Sequence, residues 1–355
     1  MMKPQIVSAK LNTERILAVS DIHGNLDLFD RLLEKMEYRP GEDALVIIGD
    51  LVQRGAQNLG VIRRCMELSS LPNVFVLQGN NDLFVLSDRY ERLLEVLGYY
   101  GERAFHGEIA KNLGLPLPQT AGEMKALCER ARETYPEEHA FLAERPHILE
   151  TENFLFAHAG LASENLNEQE LKYVIEQDRF LEKGTHVFHK MLLVGHWPVA
   201  NYRSESLSNA PLYNSEKHVL SIDGGNGVKQ FGQLNGVILD PKTGEWSWTS
   251  VDKFETISAP CSQAAQPGTV VTWPENYVDL LESFEEYSRC RVWKTGAVIE
   301  IPNSFLYQDE GTFRTSDITN IRLQIQEGEP LSLIWRSGNR LLVMKNGEAG
   351  FLILE

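Results

Sequence analysis

Three apolar runs in the first eighty residues each stop at a polar residue beside a glycine. RILAVS (15–20) is followed by Asp21, ALVIIG (44–49) by Asp50, and VFVLQG (74–79) by Asn80. Short apolar runs closed by polar loops predict buried strands. The segments between them, LDLFDRLLEKM (26–36) and LGVIRRCMEL (59–68), carry apolar residues at helical spacing. Strands alternating with helices predict an α/β sheet, in which sites form at the carboxyl ends of the strands. NFLFAHAG and KMLLVGHWP add two runs that end at His158 and His196, and HVLSIDGG and NGVILD complete a second set of strands.

The pattern changes twice. From 83 to 145 the chain is charged and helical, with LGLPLPQTAG between EVLGYYGERAFHGEIAKNL and EMKALCERARETY, which predicts a helical cap inserted into a first domain of residues 1–250. After Trp248 the stretch ISAPCSQAAQPGTVVTWPE reads as a linker, and NYVDLLESFEEYSRC as a short helix, together filling 251–287. From 288 to 355 apolar and polar residues alternate around the turn sequences SGN and KNG, which predicts a small β-barrel module. No internal repeat is apparent.

A length of 355 residues suits two domains, and 43% apolar with 24% charged residues is an ordinary globular composition. No apolar run approaches the ~20 residues of a membrane span, and the N-terminal residues carry no secretory core, so a cytoplasmic protein without a membrane partner is expected. The four cysteines form no close pair, which predicts reduced thiols. A net charge of −16 argues against a nucleic-acid partner, although metal ions and a few arginines can make one pocket locally positive.

Six potential ligands follow five strands: Asp21 and His23, Asp50, Asn80, His158 and His196. Carboxylate and amide oxygens mixed with imidazoles suit Mn, Fe or Zn better than Ca or Mg. Such a set can hold two divalent ions ~3.5–4 Å apart and activate a water between them. Any one of these residues alone is more ordinarily a cap, a turn or a core histidine. Their joint occurrence, in order and each beside a glycine, points to a metal centre.

SDIHGN, GDLVQRG, GNND, FAHAG and VGHWP resemble, in order and spacing, the signature blocks of the calcineurin-like metallophosphoesterases, most closely their bacterial phosphoprotein phosphatase branch. The resemblance covers about residues 14–250. It implies a four-layer α/β (α+β) sandwich as the catalytic domain. It also implies one metal held by Asp21, His23 and Asp50, and a second by Asp50, Asn80, His158 and His196. Arg54 would grip the phosphate as a fork donor, and a metal-bridging hydroxide would attack phosphorus directly, with Asn80 and Arg54 stabilising the phosphoryl charge. The implied function is hydrolysis of phosphomonoesters on serine, threonine or tyrosine of a phosphorylated protein, or of a small phosphoester. Alternatives are a dinucleoside polyphosphate hydrolase and a catalytically silent, metal-bearing binding module.

The chain departs from that branch at two positions. Where the branch reads GDxVDRG and GNHE, Gln53 and Asn81 replace the aspartate and the proton-donating histidine. Neither amide can act as a general acid, a role worth ~10² to 10⁴ in rate. Either the leaving group needs no proton, or another histidine supplies it, with His106, His186, His189 and His218 as candidates, or turnover is lost. Gln177 stands near the position of a second phosphate-binding arginine, so Arg54, Asn81 and Arg179 are the expected substrate contacts. Asp223 is expected to orient a ligand histidine or simply to close a glycine turn, and Asn25 to cap or bound the following helix and face the pocket. The C-terminal module carries no polar cluster suggesting chemistry; a lid, an oligomer contact or a protein-binding surface are its expected roles.

Overall fold

A computed structural model describes residues 2–354. It divides into two compact units, one comprising the chain up to Trp197 with Pro211–Val228 and Leu234–Val251, the other Pro198–Ala210, Lys229–Gln233 and the chain from Asp252 onward. The larger unit is a mixed α/β sandwich of two sheets. In chain order its first strands are β1 (Ile6–Ser8), β2 (Ile16–Val19), β3 (Ala44–Ile48), β4 (Val74–Leu77), β5 (Ile148–Glu150), β6 (Phe154–Ala157) and β7 (Met191–Val194).

In one sheet β2, β3 and β4 run parallel, and β2 also pairs antiparallel with Leu234–Leu239, which pairs with Trp246–Val251. In the other, β1, β5, β6 and β7 lie side by side, followed by Val219–Ser221 and Leu212–Asn214. Successive residues of a strand point to opposite faces, and here both faces are buried. Leu17, Val19, Leu45 and Ile47 pack with Phe29 and Leu32 of α1 (Leu26–Lys35) and Val61 and Ile62 of α2 (Asn58–Ser69). Their neighbours Ile16, Ala18, Val46 and Ile48 meet Phe154, Phe156 and Leu193 of the opposite sheet. This double burial is why the runs are continuously apolar rather than alternating.

Register decides where the loops emerge. Val19 lies opposite Ile47 and Ile48 opposite Leu77, so Asp21, Asp50 and Asn80 leave one end of their sheet together. Phe156 lies opposite Leu193, which brings His158 and His196 out at the matching end of the other sheet. After the short α3 (Asn80–Phe84), the cap consists of α4 (Tyr90–Tyr100), α5 (Phe105–Asn112), α6 (Ala121–Thr134) and α7 (Pro136–Ala143), with Leu93, Leu97, Met124 and Cys128 among its packed residues.

The smaller unit differs from the sequence expectation in two respects. Residues 251–287 are not a linker and helix: Glu255–Ser258 pairs with Pro330–Ser337, Val270–Val271 with Ile318–Thr319, and NYVDLLESFEEYSRC forms the hairpin Val278–Ser283 and Tyr287–Val292. The helical spacing of Leu280, Leu281 and Phe284 was misleading because all three are exposed, whereas the buried set Ser288, Cys290 and Val292 has period two. The second hairpin strand continues to Val298–Pro302, completing a three-stranded sheet. Nor is there a barrel: the five-stranded sheet Glu255–Ser258, Pro330–Ser337, Arg340–Lys345, Glu348–Ile353, Leu207–Ser208 is open at both ends. Its hairpins do turn at the SGN and KNG sequences, with Lys345 opposite Glu348 and both Asn346 and Gly347 at positive φ, the backbone an Asn-Gly turn supplies.

Candidate metal centre

The loops at the strand ends are tightly wound. Asp21, His23, Asp50 and His196 all have φ between 50° and 66°, as do few residues other than glycine. Such strain persists only where surrounding contacts overdetermine it. The Asp21 amide donates to the Gly49 carbonyl at 3.1 Å and the His23 amide to the Asp50 carbonyl at 3.0 Å. Asn226 braces the loop by donating to the carbonyls of Asp21 and Ile22. Glycines let the loops touch: a Cβ on Gly79 would lie 2.3 Å from the Asp50 amide nitrogen, and one on Gly195 2.3 Å from Asp21 Oδ2.

Asp21, His23, Asp50 and His158 are each at most 2% exposed. Ligand atoms of Asp21, Asp50 and His158 lie within 4.8 Å of one another. His23 Nε2 stands 3.9 Å from Asp21 Oδ1 and 3.8 Å from Asp50 Oδ2, and His158 Nε2 3.4 Å from Asp50 Oδ1. Asn80 Oδ1 sits 3.0 Å from His158 Nε2 and 2.9 Å from His196 Nδ1. The six predicted ligands therefore converge on one place, four of them buried and Asn80 and His196 half-buried.

The other ring nitrogens decide what these contacts are. His158 Nδ1 lies 2.8 Å from the Ile48 carbonyl and His23 Nδ1 3.2 Å from that of Val52, so both carry their proton on Nδ1. Their Nε2 lone pairs then point at carboxylate and amide oxygens, acceptor against acceptor. The separations to the carboxylates, 3.4–3.9 Å, exceed a hydrogen bond but match atoms ~2.0–2.2 Å from a shared cation at tetrahedral or wider angles. The donor set fits divalent metal ions.

Electrostatics agree. Burial opposes ionisation of Asp50, and the Asn81 N–H is among the groups that offset it and lower its pKa. Burial and the charge of Asp50 push Asp21 well above the usual carboxylate range. Burial and the nearby Arg54 lower His23 to about 3, keeping it a neutral ligand. Burial and Asp50 raise Asp82 to about 8, although it accepts from the amides of Gly79, Leu51 and Val52. Packing so many acids out of water is unfavourable unless cations offset their charge.

The calcineurin-like phosphoesterase profile matches residues 14–229, more than half of the chain. The chain belongs to that family. Among curated relatives, the symmetrical bis(5'-nucleosyl)-tetraphosphatase of Acidovorax sp. (strain JS42) is 43% identical over 75 residues, 21% of this chain and 26% of the relative. That of Xanthomonas euvesicatoria pv. vesicatoria (strain 85-10) is 28% identical over 169 residues, 48% of this chain and 46% of the relative. The chain thus spans between a quarter and a half of the length of these relatives. A solved structure assigned provisionally as a diadenosine tetraphosphatase superposes with a TM-score of 0.49 at 20% identity, covering 71% of this chain and 99% of the other. Among the described residues no helix is long and apolar enough to cross a membrane.

Both substituted amides have structural hydrogen bonds. Asn81 donates its backbone N–H to Asp50 Oδ1 at 2.8 Å and its Nδ2 to Asp50 Oδ2 at 2.6 Å. Gln53, 2% exposed, accepts the Phe105 N–H at 3.1 Å, tying the loop after β3 to the first residue of α5. Arg54 lies over the Tyr100 ring at 5.7 Å, and its buried Nε has no protein partner. Arg179 is left-handed at φ 54° and packs over Trp197, the residue after His196, at 5.7 Å.

None of the four candidate acids reaches the ligand cluster. His106 is buried in the cap 3.4 Å from Cys128 Sγ, His186 packs on Phe188, His189 is exposed and paired with Glu164, and His218 faces the Phe188 carbonyl. Of the alternatives for Asp223 and Asn25, the plainer ones match the structure. Asp223 makes no hydrogen bond to a histidine but accepts the Gly225 N–H at 2.7 Å, closing the glycine turn. Asn25 occupies the N-cap position and bounds α1, but its side chain makes no capping bond; its Nδ2 donates to the carbonyls of Ile22 and His23.

The residues that sequence reasoning overlooked are Asp82, Asn226 and Asp178. Asp82 was visible as the last letter of the GNND block. Asp178, whose Oδ1 lies 3.4 Å from His196 Nε2, gave no sequence signal because it follows no strand.

Proposed function

We propose that the chain is a metal-dependent hydrolase of phosphoric anhydrides, acting on dinucleoside polyphosphates rather than on phosphoproteins. The observation carrying this reading is the absence of a proton donor: the positions of the acid and its orienting carboxylate hold Asn81 and Gln53, each committed to a hydrogen bond elsewhere. An alcohol or phenol leaving group needs a proton as its P–O bond breaks. A nucleotide phosphate leaves as a stable anion without one. The bis(5'-nucleosyl)-tetraphosphatase relatives support the same choice over the phosphoprotein phosphatase reading.

In this reading Asp21, His23 and Asp50 hold one divalent ion, and Asp50, Asn80, His158 and His196 a second. The ions, of Mn, Fe or Zn character from the mixed oxygen and imidazole donors, would supply Lewis acidity and a water acidified toward neutrality. Arg54, with its guanidinium uncommitted to any carboxylate, grips the phosphoryl oxygens as charge develops, and Arg179 contributes a second cation at the Trp197 side. Asn81 holds both oxygens of Asp50 in place. The products are two nucleotides, the water oxygen ending on the phosphorus attacked.

A panel of diadenosine tetraphosphate, phosphoserine peptide and phosphotyrosine peptide, run with metal content measured on the same sample, tests the proposal. Turnover of the dinucleotide at least ~10²-fold above the peptides is expected, since a general acid is worth ~10² to 10⁴ where the leaving group needs one. Faster turnover of either peptide overturns the reading.

A further inference from the structure

We propose that the smaller unit carries a nucleoside phosphate site of its own, in a cavity between its three-stranded and five-stranded sheets. The cavity has a volume of about 480 Å³, within the ~300–1,000 Å³ usual for small-ligand sites. Three arginines line it, Arg289, Arg322 and Arg340, opposed by the single carboxylate of Glu300. In a chain of net charge −16 this is a local reversal of sign, which attracts anions.

The arginines differ in how they are engaged. Arg340 is held by Glu300 and lies over the Tyr287 ring at 5.1 Å, so an aromatic face and a guanidinium are already stacked at the wall. Arg289 pairs with Glu282 at 3.4 Å in an exposed contact. Arg322 is half-buried; its backbone is fixed by reciprocal hydrogen bonds with Gln266, yet its guanidinium makes no hydrogen bond or ion pair with any described residue. A half-buried, uncommitted fork donor is a built place for phosphate oxygens. Arg322 also lines an adjoining cavity of about 560 Å³, giving an extended ligand somewhere to continue.

The apolar half of the site is flat. Trp335, half-buried, meets Phe351 edge-on at 6.4 Å, and its indole N–H donates to no group among the described residues. Bases stack on exposed aromatic faces and on arginine planes, and the free indole N–H offers a hydrogen bond to a base edge. A compact anion with a planar apolar part matches these walls. A glutamate-rich peptide would use the arginines but leave the aromatic faces unfilled.

The site stands apart from the hydrolytic reading, because its residues belong to the smaller unit and binding needs no metal. The test is calorimetric titration of the full chain carrying Arg54→Ala, in EDTA, with AMP. One-site binding is expected. Arg322→Ala should weaken it about tenfold or more and Trp335→Leu about fivefold or more, with Arg322→Lys intermediate. Adenosine and inorganic phosphate alone should each bind more weakly than AMP. Melting temperatures verify folding, and Arg322→Lys preserves the test should Arg322→Ala prove unstable. No binding of AMP, affinity unchanged in both the Arg322 and Trp335 variants, or tighter binding of a polyglutamate peptide overturns the proposal.

Discussion

Restoring the missing acid should make the protein a better phosphomonoesterase without making it a better anhydride hydrolase. The perturbation is the pair Gln53→Asp and Asn81→His. Its benefit is the ~10² to 10⁴ in rate that a positioned general acid contributes when the leaving group needs a proton. Its cost follows from two buried contacts. Gln53 Oε1 accepts the Phe105 N–H at 3.1 Å, and a shorter aspartate leaves that amide unmet, costing about 1–3 kcal/mol of stability. Asn81 Nδ2 donates to Asp50 Oδ2 at 2.6 Å, a charge-assisted bond worth about 1.5–3 kcal/mol that a histidine cannot be assumed to replace. Loosening of Asp50 would lower activity on every substrate alike, whereas proton donation raises it only for poor leaving groups. The ratio of rates therefore isolates the acid. The assay is kcat/KM on aryl phosphates from p-nitrophenyl to phenyl, alongside diadenosine tetraphosphate. Wild type should fall steeply along the aryl series; the double variant should flatten it by about 10²-fold at the phenyl end relative to the dinucleotide. A wild-type series that is already flat refutes the reasoning, because an acid would then be supplied from a residue outside this pair.

Asp50→Asn should release metal, since Asp50 faces His23 on one side and His158 on the other; atomic absorption should register a loss of at least half the bound metal, and full retention would contradict the shared-ligand assignment. Gly79→Ala places a Cβ 2.3 Å from the Asp50 amide nitrogen and should reduce both metal content and melting temperature, whereas Gly41→Ala, at positive φ but with no atom within 4 Å, should leave metal content unchanged. His147 provides a pH prediction away from the centre. Its Nδ1 accepts the Gln5 N–H at 3.0 Å and its Nε2–H donates to Gln78 Oε1 at 2.9 Å, and burial lowers its pKa to about 4. The unfolded chain therefore binds this proton below about pH 6.5 and the folded chain only near pH 4, so its contribution is intact above pH 6.5 and lost as pH falls toward 4, by up to about 3 kcal/mol. Urea unfolding at pH 7 and pH 5 should show a smaller loss of stability in His147→Gln; equal losses in both proteins would remove His147 as the cause.

How much of this was legible in the sequence depended on where each residue sits relative to a strand. The candidate ligands were readable because a buried parallel strand is a continuous apolar run closed by a polar loop, and its register fixes where the next residue emerges. Asp21, Asp50 and Asn80 needed no tertiary information beyond β2, β3 and β4 lying side by side. His158 and His196 needed one more step, because they come from the opposite sheet. Asp178 was illegible for the same reason in reverse: it lies in a loop, and only the fold of Gln177–Arg179 brings it to His196.

The smaller unit shows the opposite limit. Its hairpin Val278–Val292 has a period-two buried set that is partly polar, Ser288 and Cys290 among it, while Leu280, Leu281 and Phe284 face solvent. Reading apolar as buried inverts such a segment, and a helix results. The same inversion hid the arginine cavity. Its walls come from strands as far apart as Tyr287 and Phe351, each contributing one residue that looks like surface charge or ordinary core. A metal centre built on loops after consecutive strands announces itself as a series of short motifs; a pocket built on the faces of two sheets does not, because alternation scatters its residues at every second position. Searching for function in the smaller unit therefore has to begin from strand pairing, and there the uncommitted guanidinium of Arg322 carries more information than any local motif.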